Sequence, residues 1–178
     1  MPKMPEKLED IPRKVQLHII NKAKNRIKDS DVIKDMFKEW DVESEVLDLI
    51  PVCFSDDLDV SARTDHAIIY INYDLIKDCE DMEEMLESID HYLVHEITHY
   101  CQQCYGDKPT QGSEDGDYLA NEFEQEGFQN QTEYISDTQG DEEAEEYVED
   151  LLDHHDIEGK KEREKRKDQL LSIAARRK

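Results

Sequence analysis

Apolar side chains at Val15, Ile19, Ala23 and Ile27 recur every four residues, the spacing of one buried stripe on a helix. A helix over 13–28 is therefore expected, with Pro12 in its first turn, where a missing N–H costs nothing. A second helix opens at Ser30 or Asp31 and carries Val32, Ile33, Met36, Phe37 and Trp40. From Val46 to Phe54 the pattern is ambiguous. Pro51 fits neither a helix interior nor a central strand, so the reading is strand character interrupted or offset at the proline. Residues 67–71 (Ala-Ile-Ile-Tyr-Ile) form the clearest strand, rich in β-branched and aromatic side chains.

The longest helical pattern runs from about Asp81 to Cys104. Met82, Leu86, Ile89, Leu93, Ile97, Tyr100 and Cys104 fall within about 40° of one direction at roughly 100° per residue. His95 and His99 point the other way, with His91 beside them. A loop over 105–117 holds Gly106, Pro109, Gly112 and Gly116, and a helix is expected from about Tyr118 to Ile135, with Ala120, Phe123, Gly127, Gln131 and Tyr134 on one face. After residues 136–140 a last helix turns Ala144, Tyr147, Val148, Leu151 and Leu152 inward. Its opening acids suit a helix N-terminus. The mixture of helices with few strands gives an α+β fold class.

With 178 residues, 37% hydrophobic and 38% charged, the chain supports one domain with an economical core, expected over 1–158. The formal charge of −24 is uneven, because residues 159–178 carry nine Lys/Arg against three Asp/Glu. That segment reads as a basic, solvated tail. An acidic body of this kind repels nucleic acid and anionic membrane surfaces. No run is long enough to span a bilayer, and the first residues have no apolar signal region, so a cytoplasmic location is expected. Cys101 and Cys104 have redox or zinc spacing, but no second such pair exists. With Cys53 and Cys79 they read as reduced packing residues, both Cys101 and Cys104 lying toward the apolar side of their helix.

The chemistry lies in residues 95–99, His-Glu-Ile-Thr-His. Two histidines four apart share one side of a helix and can offer two neutral imidazole nitrogens to one Zn²⁺, the expected cofactor. Glu96 between them is placed to act as a base on water. Catalytic zinc takes three protein ligands, so a third donor is expected from another helix. Glu122, Glu124 and Glu126 compete. With Ala120 as zero, Glu124 falls at about 40°, on the buried face, while Glu122 and Glu126 fall near 200° and 240°, toward solvent. An inward acid is costly unless it is paired or bound to metal, which selects Glu124. His91, along the same helix, is poorly placed to reach the ion and is expected behind the ligands or at the rim of the site. A di-iron bundle would need Glu-x-x-His twice, and Glu96 to His99 supplies it once.

These motifs resemble the small zincin metallopeptidases of the gluzincin kind. Residues 124–128 (Glu-Gln-Glu-Gly-Phe) are similar to the Glu-x-Glu-Ala pattern of the ImmA/IrrE-like group, with Gly127 in place of alanine. There the first glutamate is the ligand. Gln102 resembles a His-x-x-Gln continuation of related peptidase domains. The resemblance covers about 67–135, and no metzincin continuation follows His99. It implies a zincin-like domain in which strand 67–71 forms the upper edge of a small mixed sheet and takes a substrate peptide by strand addition. It also implies hydrolysis of peptide bonds in a peptide or protein substrate, with Glu96 as the base and an oxyanion donor among Tyr134, Tyr118, Tyr105 and His91. Two rival readings are a catalytically silent zincin-fold binding or structural protein and a regulatory protease with one dedicated protein substrate. The oligomeric state is left open.

Overall fold

The structure is a computed structural model and describes residues 3–106 and 121–176. The chain divides into two compact units, Met1–Gln111 and Gly112–Lys178, in place of one domain with a tail. Among the described residues the architecture is α+β, with seven helices and one mixed three-stranded sheet.

In the first unit, α1 (Arg13–Lys28) starts directly after Pro12, and α2 (Asp31–Glu39) is capped by the Ser30 hydroxyl, which accepts the Ile33 N–H at 3.3 Å. The ambiguous stretch around Pro51 resolves into two elements. A one-turn helix α3 (Val46–Leu49) precedes the proline and strand β1 (Val52–Ser55) follows it, so the missing N–H interrupts neither. Lys24 of α1 is buried, and its Nζ donates to the Ile50 carbonyl just beyond α3 at 2.6 Å. Burial lowers the Lys24 pKa, while Asp48 acts against that shift.

Strand β2 (Ala62–Asp65) and strand β3 (Ile68–Asn72) form a hairpin, and β1 pairs with β3 in parallel. The sheet order is β1-β3-β2. This corrects the expectation for strand 67–71. It is the central strand, with neighbours on both sides, and its backbone groups are taken. The edge beside it is β2, which the periodicity did not announce because its four residues are alternately half-buried and exposed. Val52 and Phe54 on β1 and Ile69 and Ile71 on β3 point into the core.

Helix α4 (Met82–Tyr105) packs on β2, β3 and α1. Asp81 caps it, its side chain accepting the Glu84 N–H at 2.9 Å. Met85, Ile89, Leu93 and Ile97 are fully buried, each burial contributing roughly 1.5–3 kcal/mol. Arg26 of α1 donates to Asp90 on this helix at 3.0 Å, and Asp90 is only 1% exposed. Gly106 ends α4, since a Cβ there would run into the Gln102 carbonyl that its own N–H meets. Cys101 is buried, but Cys104 is exposed, against the expectation that both face the apolar side. All four cysteines are free thiols.

The second unit contains α5 (Glu122–Gln139), α6 (Asp141–His154) and α7 (Lys160–Arg176). Phe128, Val148, Leu152 and Leu170 form its core. The basic segment is thus not a solvated tail. It is a helix whose Leu170 is buried and whose cations meet the acids of α6: Arg163 bonds Glu149 at 2.7 Å and Asp153 at 2.9 Å, and Lys167 bonds Glu149 at 3.1 Å. Among the described residues no helix is long and apolar enough to cross a membrane.

Candidate metal centre

Four residues per step along α4 amounts to slightly more than one turn, so His95 and His99 emerge one above the other. Both are buried, and their Nε2 atoms lie 3.0 Å apart. Two nitrogens on one tetrahedral zinc, each about 2.0–2.1 Å from it, stand roughly 3.3 Å from one another. The pair is therefore close to the separation that a shared ion requires.

The His99 ring is held from behind. Its Nδ1 meets Oε1 of Gln102, itself buried, at 2.8 Å. With the proton on Nδ1 donated to that oxygen, the lone pair of Nε2 faces His95 and is available to a metal. The glutamine one turn beyond the second histidine thus orients that histidine. His91, a turn before His95, is depressed to about 4, first by burial and then by the His95 charge, which makes it a neutral ring at physiological pH.

Glu96 is buried between the histidines in sequence. Its Oε2 lies 2.6 Å from the Thr64 hydroxyl on β2, and the same hydroxyl is 3.0 Å from the Glu96 carbonyl oxygen. Thr98 turns its hydroxyl back to the Val94 carbonyl at 3.0 Å, a bond internal to the helix. Thr64 and its neighbour in this arrangement, Gln103, carried no local signal in the sequence. Only the pairing of β2 with the sheet brings Thr64 to α4.

Glu124 belongs to the second unit, in the first turn of α5. Asn121 caps that turn, its side chain accepting the N–H groups of Phe123 at 3.0 Å and of Glu124 at 3.3 Å. Glu122 is exposed, as the helical wheel expects, whereas Glu124 is half-buried rather than turned fully inward. Glu126 is half-buried rather than turned fully to solvent, because α5 is enclosed around most of its girth from Gly127 onward. Of the suggested oxyanion donors, Tyr134 is buried, Tyr105 is exposed and Tyr118 lies outside the described residues. Among the described residues His95, His99 and Glu124 are a group that could hold a metal ion, each offering one ligand atom. No protein-family model matches the chain, and neither a curated protein nor a solved structure does.

Proposed function

We propose that this chain is a zinc-dependent peptidase in which His95, His99 and Glu124 hold the ion and Glu96 moves the proton. The convergence of two buried imidazole nitrogens at 3.0 Å, with a buried carboxylate between them in sequence, carries the reading. Two imidazoles and one carboxylate are the donor set of a catalytic zinc site that keeps a position open. When bound, such an ion polarises a scissile carbonyl and lowers the pKa of a water.

The chain's own residues do the rest. Gln102 keeps the His99 lone pair facing outward. Glu96, with Oε2 anchored to Thr64, has Oε1 to accept a proton from the attacking water and return one to the departing amine. The substrate class is peptide or protein. An extended segment could lie along the outer side of β2, the edge strand packed on α4.

Two measurements test this. Purified protein dialysed against zinc should retain about one ion per chain by elemental analysis, and Glu124→Ala should weaken that retention. Glu96→Gln should keep the ion and lose hydrolysis by at least ~10²-fold. Comparing cleaved host proteins between wild type and Glu96→Gln reads the activity without a chosen substrate. Equal turnover by that variant ends the proposal.

A further inference from the structure

The β2–β3 hairpin is tied to α4 by bonds that the fold alone does not require. Thr64 places its hydroxyl 2.6 Å from Glu96 Oε2, the length of an O–H donated to a charged carboxylate oxygen. The Thr64 carbonyl accepts from Gln103 Nε2 at 3.2 Å, and Gln103 Oε1 accepts the Ala67 N–H at 2.9 Å. Glu96 and Gln103 lie two turns apart on α4, so the hairpin is gripped at two points. Its two-residue turn is not one that its residues favour. His66 and Ala67 sit at φ 49° and 60°, the left-handed region that Asn-Gly adopts in such turns. Holding that conformation without glycine costs free energy, which the Gln103 bonds offset. The hairpin is thereby kept in one place against α4, and Thr64 with it.

We propose that Thr64 is the positioning residue for Glu96, and that Gln103 is the strut that keeps Thr64 in register. One carboxylate oxygen is immobilised by the hydroxyl, and the other is left aimed for proton transfer. Misplacement of a reacting group by about 1 Å is enough to cost ~10²-fold in rate. The inference rests on the reading of Glu96 as the base, and the test separates the two.

Thr64→Val keeps the shape and removes only the hydroxyl, while Thr64→Ser keeps the hydroxyl. Full-length zinc-loaded protein is assayed on a mixture of internally quenched peptides, and the Glu96 carboxyl ¹³C resonance, identified by its absence in Glu96→Gln, is recorded at one pH. Thr64→Val should lower kcat roughly 10–100-fold with KM within about 3-fold, at unchanged zinc content, and should move the Glu96 resonance. Thr64→Ser should restore both. If wild type and Glu96→Gln are equally inert, the base assignment falls, and the resonance alone then decides whether Thr64 positions Glu96. If wild type cleaves and Thr64→Val matches it in kcat, or if the resonance stays put, Thr64 has no such role. Should Thr64→Val fail to fold, Gln103→Met removes the strut while sparing the hydroxyl. It should displace the same resonance, and an undisturbed signal overturns the proposal.

Discussion

The two units use arginine in opposite ways. In the first, Arg26 reaches Asp90, which is 1% exposed and lies on the helix carrying the histidines, while its other nitrogens meet the exposed Glu83 and Glu87 of the same helix. In the second, Arg163 and Lys167 meet Glu149 and Asp153 at the surface between α6 and α7, beside an apolar cluster that α5, α6 and α7 share. A buried carboxylate without its cation is strongly destabilising, whereas an exposed ion pair contributes little and is screened by salt. The first unit therefore depends on its pair for the placement of α4. The second depends on Phe128, Val148, Leu152 and Leu170, and its charges mainly choose which face of α7 lies against α6.

The largest test of that contrast is Leu152→Ala. Removing this fully buried side chain should cost about 2–5 kcal/mol. Because Leu152 belongs to a cluster that all three helices share, hydrogen exchange should then show α5, α6 and α7 losing protection together while α1 and α4 keep theirs. Equal loss in both units would mean that they do not unfold separately. Next in size is Asp90→Ala. Denaturant unfolding should show a loss of about 2–3 kcal/mol, below the range for fully buried pairs because Arg26 is about a quarter exposed. That loss should persist at high salt.

The smallest effect is expected from Glu149→Gln. Hydrogen bonds from Arg163 and then Lys167 hold the Glu149 pKa below the usual carboxylate value. Its contribution is thus present above the unfolded-state pKa and is lost as acid protonates it. The thermal shift in this variant should be slight at neutral pH and should vanish in ~1 M salt, where the screening length is about 3 Å. A salt-insensitive loss would place Glu149 with Asp90 rather than opposite it.

Much of the candidate centre was legible along the chain because it lies within one helix. A 3.6-residue period relates His95, Glu96, His99 and Gln102 to one another with no tertiary information, and the same period set Glu124 apart from Glu122 on α5. The helix starts at Pro12, Ser30 and Asp81 were legible for a similar reason, since capping chemistry is local. Strand β2 was not legible. Its four residues alternate only between half-buried and exposed and include no large apolar side chain, so no hydrophobic alternation marks them and Thr64 stayed out of view. The basic segment misled in the opposite direction. Its charge density describes a solvated chain, yet buried Leu170, half-buried Leu171 and the acids of α6 hold it against the rest of its unit as α7.

What the order of residues determined by itself is the set of donors on α4 and the helices that present them, since helical periodicity and capping act over a few positions. Only the tertiary structure decided that strand 68–72 is central rather than an edge, and that a threonine more than thirty residues upstream touches Glu96. Strand pairing and side-chain contact across elements depend on register between distant segments. No local pattern encodes that register when the partner strand is short and half-exposed.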